Sequence, residues 1–133
     1  MDIEEIKTEL WRVMPDAVVI TDAPSAAPGP RILFVNAAFE AMTGYAAEEV
    51  IGRSPRMLQH PDTSPETVAA LRTAIDAWRP VRREILNRRR DGTAFWSDLS
   101  ITPVFGEEGW PRFWVSIQRD ATEAQERRLN LEA

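Results

Sequence analysis

Three polar side chains interrupt strand faces that otherwise read as mostly apolar: Asn87, Ser97 and Gln118. By strand alternation, Val81, Arg83, Ile85 and Asn87 share one face; so do Phe95, Ser97, Leu99 and Ile101, and so do Trp114, Ser116 and Gln118. Amides offer donors and an acceptor together. If the three faces line one cup, they suit a flat ligand whose edge alternates donors and acceptors; strand-end groups facing water are the plainer reading of each position. The cup carries a geometric condition. A two-residue turn at Asp91-Gly92 would set Asn87 opposite Trp96, whereas an odd-length loop or a bulge brings Asn87 and Ser97 to the same side.

Other chemistries are bounded by what the chain contains. It has no cysteine, which excludes disulfides, thiolate metal sites and cysteine nucleophiles. The one histidine, His60, lies in a proline-flanked loop, where a solvated role is expected ahead of axial haem ligation. No metal cluster, phosphate loop or nucleophile triad is evident, so no enzyme is expected. A formal charge of -5 and a pI near 4.9 argue against nucleic acid as the partner. No apolar run reaches the length of a membrane span, and the acidic, amphipathic N-terminus does not read as a secretion signal. A cytoplasmic protein is expected.

The elements that must position these residues follow from local signals. Ile3, Ile6, Leu10 and Val13 at helical spacing predict a short amphipathic helix over 2–13, ended by Pro15. Residues 17–21 and 31–35 read as strands around a loop at 22–30 rich in Pro, Ala and Gly. Asn36 caps a helix that stops at Gly44, and a second short helix over 46–50 stops at Gly52. Ser64-Pro65-Glu66 opens a helix with Val68, Leu71, Ile75 and Trp78 as its buried stripe. Strands over 81–88, 93–104 and 112–119 follow, then a charged helix from 121. This order predicts an α+β domain: a five-stranded antiparallel sheet with short helices on one face, an N-terminal cap helix and a C-terminal exit helix. The expected divisions are 1–14 (cap), 15–120 (core) and 121–133 (start of the exit helix).

Several stretches together resemble the light-oxygen-voltage (LOV) group of PAS domains. They are Ile20-Thr21-Asp22, Val35-Asn36-Ala37-Ala38-Phe39, Met42-Thr43-Gly44-Tyr45, the frame Gly52-Arg53-Ser54-Pro55-Arg56-Met57-Leu58-Gln59, Asn87 through Thr93 with Phe95-Trp96, and Ile117-Gln118-Arg119-Asp120 with Thr122. The resemblance implies the PAS fold and a bound flavin. It makes Arg56 and Arg72 the phosphate ligands, a role that guanidinium forks suit, Gln59 the ribityl contact, and Asn87 and Gln118 the amides that hold the ring. The short stretch from Gln59 to Ser64 favours FMN, with FAD as the alternative. Ser54 replaces an asparagine of the group, Ser97 replaces a second ring-binding asparagine, and Ser116 stands where glycine is common. Pro55 stands at the position of the reactive cysteine.

With no thiol, the group's sulfur–flavin adduct cannot form. What remains is one-electron chemistry, with Trp96, Trp114 and Tyr45 as candidate donors and a reorienting Gln118 amide that drives the exit helix. The opposite sheet face, with Leu86, Trp96, Phe113, Val115 and Ile117, needs covering by the N-terminal helix or a second copy, so a homodimer is expected. Any effector domain lies beyond Ala133. The competing expectation is a PAS dimerisation module that holds no cofactor.

Overall fold

The computed structural model describes residues 2–23 and 29–132. Most of the 22–30 loop, at 24–28, lies outside the described residues. Helix α1 spans Ile3–Val13; the Asp2 carboxylate accepts from Glu5 N–H at 2.9 Å while the Glu5 carboxylate accepts from Asp2 N–H. Strands β1 (Ala17–Asp22) and β2 (Ile32–Val35) form a hairpin. Helix α2 (Ala37–Thr43) starts at Asn36, whose Oδ1 accepts from both Phe39 N–H and Val18 N–H, so one side chain caps the helix and fixes it to β1. It ends at Gly44 in the left-handed region, φ 78°, which glycine adopts without steric penalty. Helix α3 covers Ala47–Val50. A 3₁₀ turn at Pro55–Leu58 follows, unforeseen in the sequence. Then come α4 (Pro65–Asp76), β3 (Val81–Arg88), β4 (Ala94–Phe105), β5 (Pro111–Asp120) and α5 (Thr122–Glu132).

The five strands form one antiparallel sheet in the order β2-β1-β5-β4-β3. Its inner face carries two apolar clusters. One joins Ala17, Val19, Ile32 and Val35 to Phe39, Val50 and Leu58 of α2, α3 and the 3₁₀ turn. The other joins Ile85 and Leu99 to Leu71 of α4. The helical stripe expected on α4 is shorter than its spacing suggested. Only Leu71 is buried, and Trp78 lies past the helix end with φ 54°, its ring stacked on Trp114 at 5.3 Å and 10°.

Of the two covers expected for the outer face, the N-terminal helix supplies only a part. Trp11 of α1 packs on Phe34 of β2 with ring centroids 4.9 Å apart, yet Phe34, Phe113, Ile117 and Val104 stay exposed. So does the α1 stripe of Ile3, Ile6, Leu10 and Val13.

Candidate functional site

The site begins with the hairpin between β3 and β4. The last pair is Arg88–Ala94, which leaves a five-residue loop closed by Arg89 N–H donating to Thr93 O at 2.8 Å. Within it the Asp91 carboxylate accepts from the Thr93 N–H and the Thr93 hydroxyl, which together hold its pKa below the usual carboxylate value. Gly92 sits at φ 90°. An odd loop sets Asn87 opposite Phe95 and Ile85 opposite Ser97, so Asn87 and Ser97 face one side, as the cup requires. The two are diagonal neighbours, roughly 7–8 Å apart by sheet geometry.

β5 brings the third polar group to the same wall, with Gln118 opposite Leu99 and Ser116 opposite Ile101. The Ser97 hydroxyl donates to Gln118 Oε1 at 3.1 Å, and Gln118 Nε2 donates to Ser116 Oγ at 3.4 Å. This buried chain hydroxyl–amide–hydroxyl satisfies Gln118 within the protein. Asn87 is different. It is 4% exposed, and its side-chain amide has no hydrogen-bond partner among the described residues. No fully buried side-chain nitrogen or oxygen among the described residues lacks a partner, so the unbonded Asn87 amide is open to solvent or to a ligand.

The 3₁₀ turn delivers the remaining residues. Ser54 Oγ accepts from Arg56 N–H at 3.2 Å, Pro55 occupies the first turn, and Leu58 anchors the segment in the first core cluster. The chain then bridges to β3, pairing Gln59 with Asn87. Gln59 is half-buried, and its side chain too has no partner among the described residues. Arg56 on the turn and Arg72 on α4 are exposed, and neither guanidinium is ion-paired among the described residues. The structure thus groups Gln59 with Asn87, and Ser97 with Gln118 and Ser116, on the inner side. It leaves the two arginines as separate cations, with no contact joining them. An open amide without a protein partner, with unpaired guanidiniums on the 3₁₀ turn and on α4, is a donor set that would suit a flat heterocycle with an anionic tail.

Of the candidate electron donors, Trp114 is buried on the inner face and Tyr45 packs at the edge of the first core cluster. Trp96 does not belong with them. It pairs with Leu86 on the outer face, so the sheet separates it from Asn87. His60 Nδ1 accepts from Asp62 N–H at 2.9 Å and shapes its own loop. Among the described residues no group of His, Cys, Asp or Glu could hold a metal ion, and no helix is long and apolar enough to cross a membrane.

Sequence reasoning missed a hub at Arg89. Its Nε donates to Met42 O at 3.1 Å, its Nη2 to the Asp120 carboxylate at 2.9 Å, and its guanidinium stands 4.7 Å over the Phe95 ring. The other Asp120 oxygen accepts from Thr122 N–H, while Thr122 Oγ1 accepts from Trp96 N–H. Arg89 therefore ties α2, the inner face and the start of α5 together. The only sequence signal was an arginine run, Arg88-Arg89-Arg90, which looks like any solvated loop.

Known proteins resemble this arrangement. A model of the PAS domain matches residues 15–123. The chain is 40% identical over 107 residues to blue-light-activated histidine kinase 1 of Erythrobacter litoralis, and 43% identical over 106 residues to a blue-light-activated histidine kinase of Rhizobium johnstonii. Each match covers 80% of this chain, but only 29% and 30% of those kinases. Among solved structures, an RNA-binding light-oxygen-voltage receptor superimposes with a TM-score of 0.88 at 36% identity, over 98% of this chain and 36% of that one. The LOV domain of an Erythrobacter litoralis blue-light-activated histidine kinase gives a TM-score of 0.75 at 37% identity, over 82% of this chain and 98% of that domain. The stretch shared with the kinases is their sensory domain, which is not itself catalytic. The chain belongs to the PAS domain family, in its light-oxygen-voltage branch.

Proposed function

We propose that this sensory domain binds a flavin non-covalently, FMN ahead of FAD, and reports light or redox state without a cysteinyl adduct. The observation that supports the reading is the Asn87 amide, which bonds to no protein group and stays open on a residue only 4% exposed, set beside Gln59 by a backbone bridge. The flavin, when bound, supplies the light absorption and the one-electron chemistry. The chain's own residues do the rest. Arg56 and Arg72 grip the phosphate, Gln59 meets the ribityl chain, and Asn87 and Gln118 hold the ring edge, with Ser97 behind Gln118. Trp114 is the inner-face electron donor and Tyr45 the alternative. Reversing the Gln118 amide requires Ser97 to turn from donor to acceptor, which a hydroxyl does by rotating about one bond. The change then reaches Asp120 and α5, two residues further on.

The outer face and the exposed α1 stripe serve a homodimer in this reading. The exposed Phe34, Phe113 and Ile117 support it. An output domain linked to α5 completes it, in keeping with kinase relatives of which this chain covers less than a third. The charge of -5 leaves nucleic acid out of the reading for this segment.

One observation favours a second reading, a PAS dimerisation module without cofactor: the Ser97–Gln118–Ser116 chain satisfies Gln118 with no ligand. The visible spectrum of protein purified from cells separates the two. A structured yellow flavin band is expected, and a colourless protein that also refuses added FMN would overturn the flavin reading. In flavin-loaded protein, Pro55→Cys is expected to bleach under blue light as an adduct forms. A fully loaded variant that does not bleach means that residue 55 is not over the ring.

A further inference from the structure

Helix α4 ends on a residue that its backbone does not suit. Arg79 N–H donates to Ala74 O at 2.9 Å and Trp78 N–H to Ile75 O at 3.1 Å, the pair of bonds that closes a helix through one left-handed residue. That residue is Trp78, at φ 54°, and among the described residues no other non-glycine has a positive φ. Glycine is the usual occupant of this position, and a bulky side chain holds it against a steric cost. Such strain persists where the surroundings over-determine it, and it gathers at functional sites. Here the strained backbone sets a ring: Trp78 lies face to face with Trp114, with centroids 5.3 Å apart and planes 10° apart.

The two rings differ in their surroundings. Trp114 is 3% exposed. It shares the inner face of β5 with Ser116 and Gln118, and four residues separate it from Gln118 by about 13 Å along the strand. Trp78 is half-buried, on the link between α4 and β3. The other tryptophans lie apart from this pair. Trp11 packs on Phe34, Trp96 is on the outer face, and Trp110 is 69% exposed between β4 and β5. The stack thus leads from the wall of the cup toward solvent.

An indole that gives up one electron becomes a cation. The electron-rich face of a parallel neighbour stabilises positive charge, so the stacked pair is easier to oxidise than either ring alone. Charge also costs less on the ring that meets water. The first effect makes the pair a donor, and the second draws the positive charge outward from Trp114 to Trp78.

We propose that Trp114 and Trp78 form a two-step electron relay. It rests on the flavin reading above and adds to it the residue that ends up oxidised. Trp114 gives one electron to the excited ring held by Asn87 and Gln118, and Trp78 gives one electron to Trp114. The flavin is thereby reduced by one electron, Trp114 ends unchanged, and Trp78 is oxidised by one. Trp78 then releases its Nε1 proton to water, which leaves a neutral indole radical. A soluble thiol returns one electron and one proton to that ring, and two thiols so oxidised join as a disulfide. Moving the positive charge one ring further out delays recombination and lengthens the time in which the Gln118 amide can respond.

The test is flash illumination of FMN-loaded protein, read by transient absorption, with the unaltered chain and Trp78→Phe compared at equal FMN loading. Near-ultraviolet circular dichroism of the ligand-free proteins reports the stack by itself, because coupled indoles give a signal that Trp78→Phe removes. The unaltered chain should show a long-lived neutral tryptophan radical that added thiol shortens, and Trp78→Phe should lose it. A radical equally long-lived in Trp78→Phe, or no tryptophan radical in loaded protein, would overturn the relay and leave flavin binding standing. An unaltered chain without the circular dichroism signal would overturn the stack and the relay together. A chain that takes up no FMN would overturn the flavin reading and the relay with it. Should Trp78→Phe not fold, Trp78→Gly removes the ring while relieving the left-handed backbone, and the same loss of the radical is expected.

Discussion

The two faces of the sheet invert the usual division of residue types. Asn87, Ser97 and Gln118 are buried on the inner face, between two apolar clusters. Phe34, Phe113 and Ile117 are exposed on the outer face. The inner polar groups are bonded to one another, as Ser97 and Gln118 are, or open, as Asn87 is, while the outer apolar groups meet solvent. The additions proposed for the two faces differ in kind. A small ligand with its own hydrogen bonds is proposed for the inner face, and a second protein surface for the outer one.

The strongest way to break this comparison is to empty each face of one aromatic. Trp114→Ala removes a ring that is 3% exposed and stacked on Trp78. It should cost about 3–5 kcal/mol of stability, read as a lower urea midpoint. Phe113→Ala, one residue earlier and on the outer face, should cost the isolated chain less than about 1 kcal/mol. Equal losses would mean that the outer face is packed.

The next test sharpens the inner face. Asn87→Leu removes an amide that the protein does not use, so the urea midpoint of ligand-free protein should hold or rise. FMN affinity should fall by about 1–3 kcal/mol, or roughly 5- to 150-fold, as measured by flavin fluorescence. A loss of fold stability with unchanged FMN binding would reassign Asn87 to structure.

The smallest effect belongs to the outer charges. Hydrogen bonding to Arg82, and then its charge, holds the Asp98 carboxyl below its ordinary value near 3.8, against the opposing effect of burial. A lowered folded-state value means that the contribution is fully present above the ordinary value and is lost as pH falls through the lowered one. The advantage of the unaltered chain over Asp98→Asn in urea unfolding should therefore persist at pH 6 and fade below pH 4. It should be modest, because the pair is largely solvated and screened.

How legible these faces were depends on the range of the interactions that make them. The Asn36 cap, the Gly44 stop, the Ser64-Pro65 start and the odd Asp91-Gly92 loop all involve residues a few positions apart, and each could be read from local chemistry. The register of that loop was enough to place Asn87 and Ser97 on one side. Arg89 bonds to Met42 and Asp120, 47 and 31 residues away, and nothing near it in the chain marks those partners. The Trp78–Trp114 stack likewise needs a left-handed backbone at Trp78 that its neighbours do not signal. The exposed stripe of α1 was read correctly as amphipathic, but periodicity says only that one face is apolar, not that the chain itself will cover it. That Asn87 would be left without a partner was also out of reach, because satisfaction depends on every group around it.

The Asp120–Thr122 junction gives α5 the mechanics of a lever. Its base is held at three points: Asp120 by Arg89, Thr122 N–H by Asp120, and the Thr122 hydroxyl by Trp96 N–H. At 1.5 Å of rise per residue, the 11-residue helix extends about 16 Å from that base. Arg128, six residues past Thr122, is also paired with Glu84 of β3, so a tilt of about 10° has to release that pair before it sweeps the far end through roughly 3 Å, about the length of a hydrogen bond. A displacement too small to disturb the sheet is thereby enlarged, over three turns of helix, to a size at which contacts with another domain are made or broken.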